Sequence, residues 1–133
     1  MTNLTGKRII VIDDEGATNL SLRQDCEQAR MVVVGLAYNG KVGVETALEQ
    51  HPDIVLADVN MPVMDGVEAA RTILSQIPAC VVLLTADPEQ SDPAEIARLG
   101  VHGYVGKPVS RELLIPAIQA AYERFQQGQT YTC

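Results

Sequence analysis

Five short apolar runs punctuate the chain: "RIIVI" at 8–12, "VVVGLA" at 32–37, "DIVLA" at 53–57, "CVVLL" at 80–84 and "GYVG" at 103–106. The third and fourth are apolar at nearly every position and do not alternate. A strand with one wet face alternates, whereas a strand covered on both faces does not, so a parallel sheet with helices on each side is expected. Between the runs the spacing becomes helical. Leu20, Leu22, Cys26 and Ala29 form a loose amphipathic set, and behind "YNG" Val44, Ala47 and Leu48 fall at i, i+3 and i+4. From Asp65, the set Val67, Ala70, Leu74 and Ile77 keeps one face apolar until Pro78, which has no N–H to continue a helix.

"SDPAEIARLG" supplies its own ends, with Asp92 as N-cap, Pro93 at the first helical position and Gly100 after the last turn. The last helix has the strongest pattern: Leu113, Leu114, Ala117, Ile118, Ala121, Tyr122 and Phe125 recur behind Ser110. Pro116 within it predicts an irregular first turn or a bend. "QQGQTYTC" at the end has no periodicity and reads as a fraying tail or the start of a linker. The expected organisation is one domain over 1–126 and a tail over 127–133. Five alternating strand–helix units with right-handed crossovers make a (βα)5 α/β fold, a doubly wound, parallel five-stranded sheet.

Composition narrows the function classes. A chain of 133 residues builds a single core, and 47% hydrophobic content with mixed charge suits a globular domain. The net charge of −7 argues against direct nucleic-acid binding or an anionic membrane surface, since little would neutralise phosphates. No apolar stretch approaches the roughly 18 residues that span a bilayer, and "MTNLTGKR" lacks the apolar core of a secretory signal. Cys26, Cys80 and Cys133 are too few and too scattered for a disulfide framework or a zinc site. A cytoplasmic setting is expected.

In doubly wound sheets ligands bind beyond the carboxyl ends of the strands. There the chain places Asp13 and Asp14 after the first run, Asp58 after the third, Thr85 after the fourth and Lys107-Pro108 after the fifth. Singly, each has a plain reading as a helix cap, an Asx-turn, a turn hydroxyl or a solvated lysine, and Asn60 and Gly66 suit a turn. Together they do not. Three carboxylates at one edge repel by about 4 kcal/mol per pair at 4 Å and an effective dielectric of 20, and nothing in a bare fold offsets that. A hard divalent cation with oxygen ligands would, and Mg²⁺ is held by one or two carboxylates plus waters and phosphate. A hydroxyl and an ammonium add donors for phosphoryl oxygens. An aspartate beside such a cation can become the nucleophile and carry an aspartyl phosphate.

The acidic pair of "VIDDE", the "DVNMPVMDG" block, "LLTAD" and "GYVGKP" occur in that order on the strand ends. From about Arg8 to Phe125 the chain thereby resembles response-regulator receiver domains, the phospho-acceptor half of two-component signalling. The resemblance implies the flavodoxin-like strand order 2-1-3-4-5. It implies that Asp58 takes a phosphoryl group from a sensor histidine kinase or phosphotransfer protein with Mg²⁺ as cofactor. Asp14 then corresponds to a direct metal ligand, Asp13 to one acting through water, and Asn60 to the backbone carbonyl of the metal shell. Thr85 and Lys107 correspond to the switch hydroxyl and the phosphate-binding lysine. Tyr104 sits at the aromatic switch position, although it also reads as a half-buried strand tyrosine. Met61 and Met64 read as packing. A cis Lys107–Pro108 peptide is expected, both from the sharp turn there, since X–Pro favours trans by only about 0.5–1 kcal/mol, and from the resemblance.

The output implied is altered partner binding or homodimerisation through the fourth helix, fifth strand and last helix, including Ile96, Tyr104 and part of 113–125. Such a protein is a switch, catalysing only its own phosphorylation and dephosphorylation. Two other readings remain. The pattern from Leu114 to Ile118, followed by "ERF", is similar to receivers of the antiterminator type, which would make the chain the sensor half of an RNA-binding regulator. A Mg²⁺-dependent phosphohydrolase with an aspartyl intermediate is the other, although its Asp-x-Asp pair is missing, because Asn60 stands two residues after Asp58.

Overall fold

In the computed structural model, which describes residues 3–86 and 92–131, strands and helices alternate from end to end. They run β1 (Arg8–Ile12), α1 (Gly16–Gln28), β2 (Val32–Ala37), α2 (Gly40–Gln50), β3 (Ile54–Asp58), α3 (Gly66–Leu74), β4 (Cys80–Thr85), α4 (Pro93–Arg98), β5 (Gly103–Gly106) and α5 (Arg111–Gln126). The five strands form one sheet in the order β2-β1-β3-β4-β5, every neighbouring pair parallel. The (βα)5 fold and strand order are those expected. β3 and β4 are buried at every position, which is why their sequences do not alternate. Both run one residue further than the apolar pattern alone marks. Asp58 pairs with Leu84 and Thr85 with Gly106, so the acid and the hydroxyl are the last residues of their strands and not loop residues.

Successive strand side chains point to opposite faces, and the sheet divides its core accordingly. On one face Ile10, Val55, Val81 and Leu83 pack with Val44, Ala47, Ala70, Ile73 and Ile96 from α2, α3 and α4. On the other, Ile9, Val11, Leu56 and Val82 pack with Leu22, Cys26, Leu114 and Ile118 from α1 and α5. Cys26 and Cys80 are buried and free. Burial pushes both thiols up to about 12, so they act as small apolar side chains. Cys133 and Asp87 of "LLTAD" lie outside the described residues.

Local signals set the helix ends. The Asn39 side chain accepts from the N–H of Val42 at 2.9 Å, that of Asp65 from Glu68 at 2.8 Å, and that of Asp92 from Ala94 at 3.0 Å. α5 continues through Pro116 without a break. In its first turn the Ser110 carbonyl accepts from both Leu113 and Leu114, a sharing common at helix ends. α1 differs from its predicted phase. Leu22 and Cys26 face inward, but Leu20 is 52% exposed and Asn19 holds the inward position. Counting back three from Leu22 gives 19, so the inward stripe of α1 includes a polar residue that a purely apolar pattern passes over. The segment after α5 also does more than fray: the Tyr131 N–H donates to the Val101 carbonyl at 2.8 Å. Among the described residues no helix is long and apolar enough to cross a membrane.

The start of α3 presses against the end of β3, and this contact fixes where Asp58 stands. The Gly66 N–H donates to the Val59 carbonyl at 2.9 Å. A Cβ at Gly66 would lie 2.1 Å from the Asp58 carbonyl oxygen, against backbone that cannot give way. Gly66→Ala is therefore expected to destabilise the fold by about 1–3 kcal/mol through overpacking, read as a lower urea midpoint at unchanged slope.

Candidate functional site

The carboxyl ends of β1, β3, β4 and β5 converge on one spot. Asp13 follows β1 and is 1% exposed; Asp58 ends β3 and is 5% exposed. The Asp13 N–H donates to the Ala37 carbonyl at 3.0 Å, which continues the β1–β2 ladder past Ile12. Both oxygens of its carboxylate are engaged. Oδ1 accepts from the Glu15 N–H at 2.9 Å, and Oδ2 accepts from Lys107 Nζ at 2.6 Å. The same ammonium lies 3.3 Å from Asp58 Oδ2. Asp58 Oδ1 accepts from the Asn60 N–H at 3.3 Å, which closes the first turn after β3. Asp14 is exposed. Asp13, Asp14 and Asp58 can each offer a carboxylate oxygen, with all three within 4.8 Å of one another.

Lys107 reaches this point because its own N–H donates to the Thr85 carbonyl at 2.6 Å, anchoring the chain at the end of β4. The peptide to Pro108 is cis, as expected. Thr85 is buried at the edge of the same cluster of strand ends. Tyr104 is not drawn in; it lies mid-β5, half-buried, opposite Leu83. Because Leu83 and Thr85 share a face of the sheet, Tyr104 is on the Thr85 side. Its hydroxyl is buried and makes no hydrogen bond among the described residues.

Burial raises the Asp58 pKa above the usual carboxylate range, and the Asp13 charge adds to that; the Lys107 ammonium and the Asn60 N–H only partly offset it. For Lys107, burial alone would lower the pKa, but the hydrogen bond and charge of Asp13, with the charge of Asp58, raise it above the ordinary lysine value. Two buried acids thus share one ammonium. Oxygen-only donors, two of them acidic and nearly dry, with a third carboxylate turned to water, match a hard divalent cation better than zinc or copper.

A residue not anticipated from the sequence holds this arrangement from behind. Asn19 is fully buried, and its Nδ2 donates to the Asp13 carbonyl at 2.7 Å and the Ala37 carbonyl at 3.1 Å. With two carbonyls as neighbours, the amide must present its nitrogen there, and its buried Oδ1 has no partner among the described residues. Asn19 staples the first turns of α1 to the ends of β1 and β2, and so fixes the backbone that carries Asp13. The signal that marks it is an amide in phase with Leu22 and Cys26.

Residues 9–119 match the family described as the response regulator receiver domain. Over 122 residues the chain is 38% identical to the transcriptional regulatory protein PdtaR of Mycobacterium tuberculosis, covering 91% of this chain and 59% of that protein. It thus spans little more than half of that relative. Protein CcdB of Bacillus subtilis is 30% identical over 112 residues, 84% of this chain and 93% of its own. The response regulator domain of Thermotoga maritima CheB superposes with a TM-score of 0.80 at 28% identity, covering 89% of this chain and 97% of that one.

Two outcomes test the geometry. Asn19→Ala strands the Asp13 carbonyl and is expected to cost about 1–3 kcal/mol in denaturant unfolding. Asp58→Asn should do the reverse. A pKa raised by folding means that ionised Asp58 destabilises the native state at neutral pH. That penalty is absent below the unfolded pKa of about 3.9 and grows as pH rises through the elevated native value. In chelator, the variant should exceed the wild type in stability at pH 7, with the gap closing as pH falls toward 4.

Proposed function

Because the chain belongs to the response-regulator receiver family, we propose that it is a phosphorylation switch whose acceptor is Asp58. The observation that carries this reading is the single Lys107 ammonium held against Asp13 and Asp58 at the strand ends, with Asp14 beside them. The donor is a phosphohistidine of a sensor kinase or phosphotransfer protein. One Asp58 oxygen attacks phosphorus; a P–O bond forms, the P–N bond breaks, and the imidazole leaves with the electron pair and regains its proton. A carboxylate of raised basicity is the better nucleophile once ionised. The Lys107 ammonium moves from charge partner of Asp58 to partner of a phosphoryl oxygen, and the Thr85 hydroxyl supplies a further donor.

Asp14 and Asp58 would hold Mg²⁺ directly, Asp13 through water and Asn60 through its backbone carbonyl, and the ion supplies positive charge to the phosphoryl oxygens. Beside Lys107 lies an open cleft of about 610 Å³, lined by Glu15, Thr18, Ser21, Leu22, Pro108 and Val109 among others. The phosphoryl group adds about −1.5 to −2 charges. Through Thr85 and Tyr104, on one face of the sheet, it alters the α4–β5–α5 surface for a partner or a second copy. Likeness to PdtaR favours transcription as the process controlled. Asn60, standing where a phosphohydrolase needs its second acid, disfavours turnover of an external ester.

With a small-molecule phosphodonor and Mg²⁺, intact mass should show one phosphate on the wild type, none on Asp58→Asn, and none in EDTA. Full labelling of Asp58→Asn would overturn the assignment.

A further inference from the structure

We propose that residues 127–131 form a latch over Tyr104, closed in the unphosphorylated protein and released by the event at Asp58; this rests on the reading of Tyr104 as the residue that follows the phosphoryl group. The end of α5 is built to turn back. The Gln129 N–H donates to the Arg124 carbonyl at 2.8 Å and the Gly128 N–H to Phe125 at 3.2 Å, with Gly128 at φ +71°. That pair of crossed bonds around a left-handed residue closes a helix end and reverses the chain. A frayed end would leave those carbonyls to water.

The reversal has a destination. Gln126 to Thr130 are exposed, but Tyr131 is half-buried and packs against the core cluster containing Ile96 and Val101. Its N–H bonds to Val101, just before β5. Its ring centroid lies 5.9 Å from that of Tyr104, with the planes at 58°. Arg124 Nη1 ties the same turn of α5 to the His102 carbonyl at 2.8 Å. The entrance to β5, the edge strand, is therefore covered by the chain's own C-terminal segment.

Tyr104 beneath this cover buries a hydroxyl that has no partner among the described residues. Its present position is not fully satisfied, so a rearrangement that provides a partner competes with it. The two rings share a contact surface, so displacement of Tyr104 removes part of the packing that holds Tyr131. Linkage runs both ways: release of 127–131 favours the displaced Tyr104 and, through it, the phosphorylated pocket.

The full chain carrying fluorotyrosine gives four resonances, Tyr38, Tyr104, Tyr122 and Tyr131, assignable by single Tyr→Phe changes. On adding beryllofluoride with Mg²⁺, both Tyr104 and Tyr131 should shift, and the Tyr131 amide should exchange with solvent about tenfold faster or more. Tyr131→Ala should lower the beryllofluoride half-saturation by about fivefold. If Tyr104 shifts while Tyr131 keeps its resonance and exchange rate, the latch is wrong and the switch stands. Pocket amides that shift while both tyrosines stay put would overturn both. An unchanged half-saturation in Tyr131→Ala would likewise overturn the coupling.

Discussion

Lys107 places one ammonium against two carboxylates that reach it from different strands, 2.6 Å from Asp13 and 3.3 Å from Asp58. Two such acids without a cation would repel by several kcal/mol, about 4 at 4 Å and an effective dielectric of 20. The lysine must come from β5, across the whole width of β4, so the pair forms only if four parallel strands end flush. The sheet meets that demand with backbone bonds that continue past the strands. Asp13 bonds to Ala37, Val59 to Leu84, and Lys107 to Thr85. Removing the ammonium would leave buried charge uncompensated, which costs more than the pair itself contributes. The register of the sheet and the electrostatics of the pocket are thus one constraint.

That constraint is only partly satisfied, which is informative. Even with Lys107 and the Asn60 N–H in place, burial keeps the Asp58 pKa high. The surrounding fold is committed to the acid's position nonetheless. Gly66 is pressed onto the Asp58 carbonyl, Asp65 caps the helix that begins there, and Asn19, holding Asp13, has an Oδ1 with no partner among the described residues. Close approaches and unpaired polar groups of this kind accumulate where a protein binds or reacts. A divalent cation at this spot would relieve like-charge crowding that the polypeptide alone cannot.

Most of this was legible in the sequence because the determinants are local. Strands buried on both faces announce themselves by lack of alternation, and Asp92-Pro93 and Gly100 mark the ends of α4. The acids, the hydroxyl and the lysine stand where chain order puts strand ends, and the structure gathers Asp13, Asp14, Asp58 and Lys107. What the pattern hid was tertiary. Asn19 is inward and Leu20 outward because the neighbours of α1 include the carbonyls of Asp13 and Ala37, which its amide nitrogen bonds. No hydrophobicity pattern records a need of that kind. Tyr131 sits among exposed polar residues, and its burial depends on a reversal after α5 whose only local trace is Gly128.

The position of Tyr104 bears on how a pocket at one end of the sheet could reach a surface at the other. From Val101, where Tyr131 docks, to Lys107 is six residues, roughly 20 Å of extended chain at 3.3 Å per residue. A packed strand does not deform continuously over that length, so coupling requires an element with two discrete arrangements. β5 offers little else, since Gly103 and Gly106 flank Tyr104 and Val105. Val105 packs on the α1–α5 side, whereas Tyr104 lies on the α4 side with Thr85 and meets Tyr131. Tyr104 shares a sheet face with the pocket hydroxyl and touches the covering segment. The sheet supplies rigidity at the acids, and Tyr104 joins the pocket's sheet face to the covering segment with a hydroxyl that has no partner among the described residues.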